Sequence, residues 1–313
     1  MSEFESQYDD EIDLFELFQT LWSGKWWILL FTIISGGGSA WVSLQLPNIY
    51  IVEAKIAAVG DGDASQMSQL VAQYGGLASL AGVSLPSSGS GSETGLLLEI
   101  MKSRAFVGDF IESNGLGPRL FAVESFDPLT QAERYNAAIY DPTNRLWTRE
   151  VEAPQIKEPS RQELYKAFSE RLVISENKTS PVVTVSFEHP SPVLGYEIVT
   201  GLVTALDDYA RARDKARSQQ SIAYLEEKLR QTRLVEVEKV LYQMIESQTK
   251  TLMLAEVNPD YAFQVVDPAV IPELKAKPKR SLIVVISVLV GGMVGILFVL
   301  IRAAVRNRVN RGS

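Results

Sequence analysis

Residues 26–46 read WWILLFTIISGGGSAWVSLQL and residues 282–301 read LIVVISVLVGGMVGILFVLI, and neither run carries a charged side chain. At about 1.5 Å of rise per residue, each would make a helix of roughly 30 Å, the thickness of a bilayer's hydrocarbon core. Both interiors are dense in Ile, Leu, Val and Phe, which excludes the one-sided pattern of a surface helix. The two runs therefore predict transmembrane helices at 26–46 and 282–301. The leader before the first run is acidic (Asp9, Asp10, Glu11, Asp13) where a secretory signal is basic, so it reads as an uncleaved anchor.

Two spans put both ends of the chain on one side. Residues 1–25 then form a short N-terminal segment, 47–281 a single domain on the opposite side, and 302–313 a short tail. Basic residues do not orient this arrangement: Arg302, Arg306, Arg308 and Arg311 follow the second span, while Lys275, Lys277, Lys279 and Arg280 precede it. The net charge of −8 speaks against a general nucleic-acid binder, and the absence of cysteine fits either redox compartment.

Outward from the spans, Ile12–Trp22 repeats its apolar residues at helical spacing and leads straight into the first membrane helix. Tyr50–Val59 predicts a strand, Gln66–Leu80 a helix, Pro86–Ser92 a flexible linker, and Thr94–Asn114 a helix stopped by Gly115. The stretch 116–159 predicts an irregular insertion with short helical pieces. Ser160 is placed to cap a helix over Gln162–Arg171, followed by strands at Leu172–Glu176 and Val182–Glu188. From Pro192 to Val257 there is no further proline, and no glycine after Gly201. This predicts one continuous helix on the order of 85–100 Å. Its polar middle, Arg211–Ser221, cannot lie within a compact core, so the helix must project from a base. Tyr261–Val266 predicts the returning strand. The expected fold class is an α/β domain with a very long extended helix, flanked by two transmembrane helices.

Catalytic chemistry finds little to stand on. The chain has no cysteine and one histidine, His189, between a strand end and Pro190. A corner role suits that position better than catalysis, and no phosphate-cradling or nucleophile-elbow motif occurs. The carboxylate pairs Asp61/Asp63 and Asp207/Asp208 lack the further ligands or the spacing that cation binding or glycoside chemistry needs. No cofactor and no metal site is expected. The basic run Arg211, Arg213, Lys215 and Arg217 is a candidate inter-subunit or glycan-contact surface, with a solvated helix face as the plainer reading. The Asn177-Lys178-Thr179 sequon carries little meaning without a known host. Gly36 and Gly37 in the first span and Gly291 and Gly295 in the second are small residues that let membrane helices approach. Pro272 and Pro278 stiffen the approach to the second span and join them as candidates for positioning a packed pair.

With these pieces assembled, the chain resembles the Wzz-type chain-length determinants, the polysaccharide co-polymerases of Gram-negative inner membranes. The matching residues are Glu11-Ile12-Asp13-Leu14 with Leu17 before Trp26-Trp27; the block Ile174–Lys178 through Val183–Pro192; Ile245–Lys250; and Asp267–Pro272 with Pro278-Lys279-Arg280. Residues 61–160 carry none of the resemblance. It implies cytoplasmic termini, a periplasmic domain, and a ring-like homo-oligomer. It further implies a non-enzymatic role in setting the chain length of O antigen or a related glycan, with a Wzy-type polymerase and an undecaprenyl-linked glycan as partners. Some relatives carry a fused tyrosine kinase; with only Arg302–Ser313 after the second span, that subclass is not expected, and neither is a sensor with a cytoplasmic signalling module. The alternative is a membrane adaptor of a capsule or exopolysaccharide export complex that works with a separate kinase.

Overall fold

The computed structural model describes residues 14–59, 90–153, 155–176, 180–231 and 235–311. The predicted helix at 66–80, the Asp61/Asp63 pair and the Asn177 sequon lie outside them. The chain divides into two compact units, Ile49–Lys275 and a second made of Met1–Asn48 with Ala276–Ser313.

The membrane unit begins with α1 (Leu14–Ser23) and α2 (Lys25–Gln45). They are interrupted at Gly24, so the lead-in does not run unbroken into the span. Gly24 is buried, and a β-carbon there would collide with Val299; only glycine admits the neighbouring helix at this point. That neighbour is α9 (Arg280–Arg311), which runs antiparallel to α2. Residues Lys25–Gln45 and Arg280–Ala303 are long and apolar enough to cross a membrane.

The second unit is built on a four-stranded antiparallel sheet. It uses β1 (Tyr50–Ala58), β6 (Leu172–Glu176), β7 (Val182–His189) and β8 (Phe263–Asp267), in the order β6-β7-β1-β8. Register places Val52 opposite Phe187, Ala54 opposite Val185, and Ile56 opposite Val183. All six are buried, because alternate residues of a strand share one face. Against that face lies α7 (Pro192–Gln231), with Leu194, Ile198, Leu202 and Leu206 fully buried at helical spacing. Each such side chain contributes about 1.5–3 kcal/mol by leaving water. Gly195 makes this packing possible: a β-carbon on it would sit 2.8 Å from Val52 Cγ2.

Helices α3 (Ser90–Lys102), α4 (Arg104–Ser113), α5 (Gly117–Ala122) and α6 (Arg161–Ser169) complete this core. Ring contacts run Phe110–Phe168–Phe187 at 6.2 and 5.0 Å. The single helix expected over 94–114 is two, because the side chain of Ser103 accepts from Phe106 N and caps a new start. The first of them begins at Ser90, so the expected linker is already helical at its last three residues. Gly115 adopts φ +60°, the left-handed stop its position suggested. Ser160 forms a full capping box with Glu163.

The insertion at 116–159 is more ordered than its composition suggested. It contains the hairpins β2 (Val123–Asp127) with β3 (Ala132–Tyr135), and β4 (Tyr140–Asp141) with β5 (Leu146–Trp147). Arg149 secures it. This buried guanidinium donates to Glu163 Oε1 and Oε2 at 2.7 and 3.0 Å, and to the carbonyls of Ile156 and Lys157.

The largest departure concerns the long helix. It ends at Gln231, after 40 residues and about 60 Å. A second helix, α8 (Val235–Val257), returns beside it. Lys215 Nζ reaches Glu256 Oε1 at 2.8 Å, although the two are 41 residues apart. One continuous helix would separate them by about 60 Å. The seam of the hairpin is apolar, with Leu225 buried and Ile222, Leu229, Leu241, Ile245 and Leu252 half-buried, while Val237 and Met244 are exposed.

Asp207 closes the base of this hairpin. Its buried Oδ1 accepts from the backbone N–H groups of Tyr261 and Ala262 at 3.0 and 2.6 Å, and Oδ2 accepts from Arg211 Nη2 at 2.7 Å. Arg211 Nη2 also donates to the carbonyl of Pro259. Asp207→Ala strands several buried donors at once, and should lower the stability of the domain by about 3 kcal/mol. Thermal unfolding of the full chain in detergent, compared with Asp208→Ala at the exposed neighbouring position, measures this.

Candidate functional site

Three constellations could carry function: the buried corner around His189, the basic face of the hairpin, and the interface between the spans. At the corner, Ser191 N–H donates to His189 Nδ1 at 3.0 Å, which places the imidazole proton on Nε2. The ring is 1% exposed and stacks on Phe187. Burial, together with the nearby Arg171 charge, pushes its pKa down to about 3. Ser191 Oγ accepts from Leu194 N–H at the start of α7 and donates to Glu133 Oε1 at 2.8 Å. Burial works against the Glu133 carboxylate, but hydrogen bonds from Arg119 and Ser191 outweigh it and hold its pKa low. Arg119, in turn, bridges Glu133 and Glu197.

Ser191, Glu133 and Arg119 are held by one another and join the β2–β3 hairpin to α7, while the buried His189 Nε2 has no hydrogen-bond partner among the described residues. A neutral, enclosed histidine beside a committed serine is a structural corner, as its sequence position suggested. Among the described residues, no cluster of His, Cys, Asp or Glu is arranged to hold a metal ion.

The pH dependence follows from two of these groups. Arg149 holds the Glu163 carboxyl at about 2, below its ordinary 4.5. Its contribution is therefore complete above about pH 4.5 and is lost as pH falls toward 2. His189 is disfavoured as a cation in the fold, so stability is also lost as pH falls from 6.5 toward 3. Thermal midpoints of the full chain should fall through both windows on acidification. Glu163→Gln should lower the midpoint at neutral pH and flatten the fall below pH 4.5.

The four basic residues singled out on α7 are not equivalent. Arg211 is held by Asp207, Arg213 Nε donates to Asp214 at 2.9 Å, and Lys215 pairs with Glu256 across the hairpin. Arg217 is exposed. The run is thus largely an internal fastening, and Tyr261 Oη joins it by a hydrogen bond with Asp214 at 3.1 Å. The sequence could not reveal the partners, because Glu256, Pro259 and Tyr261 lie more than forty residues downstream.

Between the spans, the small residues divide by face. A β-carbon on Gly295 would meet Ile28 Cα at 2.8 Å, one on Gly291 would meet Ser35 Cβ, and one on Gly36 would meet Val288 Cγ2 at 2.9 Å. These three sit in the seam. Gly37 has nothing within 4 Å of such an atom and faces away from α9, since a one-residue step turns a helix by about 100°. Ser35 Oγ donates to the Ser287 carbonyl at 2.7 Å, and Phe298 packs against Trp27 and Phe31. Pro278 precedes α9, its carbonyl accepting from Arg280 N–H. Pro272 belongs to the other unit. Neither proline is in the helical seam. At the far end of the seam, Arg280 Nη2 donates to the Leu46 carbonyl and to Asn48 Oδ1.

Comparison with known proteins identifies the class. Residues 10–113 match the family model described as "Chain length determinant protein". Residues 224–304, the return helix and second span, match the one described as "G-rich domain on putative tyrosine kinase". No curated protein matches the chain. Among solved structures, a full-length bacterial polysaccharide co-polymerase aligns over 94% of this chain and 99% of its own, with 17% identity and a TM-score of 0.40. The two domain models, one over each apolar helix, support a likeness to the Wzz-type chain length determinants.

The seam is directly testable. Gly295→Leu should separate the spans, and Gly37→Leu should not. A cysteine pair at Ser35 and Ser287, in a chain with no native cysteine, should crosslink in the parent and in Gly37→Leu but lose most of its yield in Gly295→Leu.

Proposed function

We propose that this protein is a non-enzymatic, oligomeric regulator that sets the chain length of O antigen or a related surface polysaccharide made by a Wzy-type polymerase. The observation that carries this reading is the chain length determinant match over residues 10–113, on a chain that has two paired apolar helices in one unit and a long helical hairpin in the other. The carboxylates of Glu133, Glu163 and Asp207 are each engaged by an arginine of the fold, which supports a role without group transfer. In this reading both termini are cytoplasmic, the domain 47–281 is periplasmic, and the membrane is the bacterial inner membrane. Copies assemble in a ring through the outer hairpin. Tyr224, Val240, Tyr242, Met244 and Met253 are all exposed on it, more apolar surface than a solitary hairpin keeps in water. Arg217 remains the basic residue of α7 best placed for an undecaprenyl-linked glycan or a neighbouring copy.

A second reading has one observation in its favour. The model matched over residues 224–304 is named for a domain found on tyrosine kinases, which suits an export adaptor that works with a separate kinase. Deletion of the gene separates the two. A length regulator predicts that surface polysaccharide persists with an altered length distribution on gels. Loss of export at unchanged length would favour the adaptor, and unchanged polysaccharide would overturn both.

A further inference from the structure

The return helix α8 has a polar face that takes no part in the seam. Ile245 and Leu252 lie in the seam and are half-buried. At about 100° per residue, Gln243, Ser247 and Lys250 stand roughly 140–160° around the helix from Ile245, and all three are exposed. On that side the helix surface opens into a depression of about 560 Å³, lined by Gln243, Glu246, Ser247, Thr249, Lys250 and Met253. The short side chains of Ser247 and Thr249 leave room among the four long ones.

The polar groups of this lining are unengaged. Glu246 and Lys250 stand at i and i+4, the order of charges that pairs best along a helix. They nevertheless form no ion pair, and neither they nor Gln243 makes a side-chain hydrogen bond among the described residues. Elsewhere on the hairpin such pairs are closed, Asp207–Arg211 at 2.7 Å and Glu227–Arg230 at 2.6 Å. Thr249 Oγ1 donates to the Ile245 carbonyl at 2.8 Å and keeps lone pairs with which to accept. Met253 adds apolar surface, with 62% of it exposed.

A sugar residue presents the complementary mixture, hydroxyls that both donate and accept beside a C–H face. A second copy of the chain would suit the depression less well. Protein–protein contacts keep charged residues out of their centre, and the exposed Val240, Tyr242 and Met244 all lie outside the lining. We propose that the depression bounded by Gln243, Glu246, Lys250 and Met253 on α8 binds a segment of polysaccharide through its hydroxyl groups. Gln243 and Lys250 donate to sugar oxygens, Glu246 accepts from a sugar hydroxyl, and Met253 covers the C–H face. The site rests on the glycan role proposed above and adds that the chain touches the glycan itself at α8.

The probe is lipid-free polysaccharide, released by mild acid from cells that carry this protein and labelled at its reducing end with a fluorophore. It is titrated with the purified full chain in detergent, and the parent should bind it. Gln243→Leu should weaken binding about five-fold and Lys250→Met, which removes a charged donor, about ten-fold, with about 50-fold for the two together. Lys250→Arg keeps a donor and should retain binding. Circular dichroism checks that each variant is folded, and the single variants serve if the double one is not. Light scattering on the same samples separates a glycan site from a contact between copies, since the oligomer mass should be equal in parent and variants. A parent that does not bind, folded Leu and Met variants that bind as the parent does, or an oligomer mass that falls with them overturns the proposal. None of these outcomes touches the gene-deletion result, so the length-setting role and this site can fail separately.

Discussion

A 40-residue helix that projects from a sheet must be brought back if its end is to rejoin that sheet, and in this protein the return is fastened at Asp207. Its carboxylate takes the backbone N–H groups of Tyr261 and Ala262, just before β8 begins. Charge-assisted bonds to backbone donors fix position as well as energy. Once residues 261–262 are held there, β8 can lie beside β1, with Phe263 opposite Ala58 and Lys55 paired to Asp267. The strand that follows the first span and the strand that precedes the second thus become neighbours in one sheet. Arg211, through the Pro259 carbonyl, and Lys215, through Glu256, extend the same fastening about one turn along the hairpin.

The polar network at the other end of the sheet works by the same logic. Ser191 serves the start of α7, the His189 ring and Glu133 simultaneously, and Glu133 hands the connection to Arg119 and Glu197. Enclosed networks of this kind cost the fold heavily when a partner is removed, because the remaining buried groups lose their hydrogen bonds. They also tie the β2–β3 hairpin to the start of α7, so these charged groups serve the packing of the domain.

Much of the architecture was legible along the chain. The uncharged runs, the alternation of Val183, Val185 and Phe187, the Ser160 cap and the Gly115 stop all act through residues within a few positions of one another. Local rules suffice for such features. The break after Gln231 was not legible, because neither proline nor glycine marks it. Helix propensity measures only the cost of local dihedrals, and an apolar stripe looks the same whether it meets a partner chain or its own return. The hairpins of the insertion were hidden for a related reason: they are short, and Arg149 organises them through Glu163 and carbonyls that composition cannot rank.

The amino-acid sequence by itself determined that two helices are apolar enough to span a bilayer, that a half-buried sheet lies between them, and that the small residues Gly36, Gly291 and Gly295 were available for close approach. The tertiary structure decided which faces meet. It turned Gly37 away from the seam, folded the long helical run back on itself, and gave Arg211, Arg213 and Lys215 of the basic run carboxylate partners while Arg217 stays exposed. The difference is one of range. Hydropathy and backbone preference are summed over neighbours in sequence, whereas an ion pair such as Lys215–Glu256 exists only after the chain has turned to bring residues 41 apart within 2.8 Å.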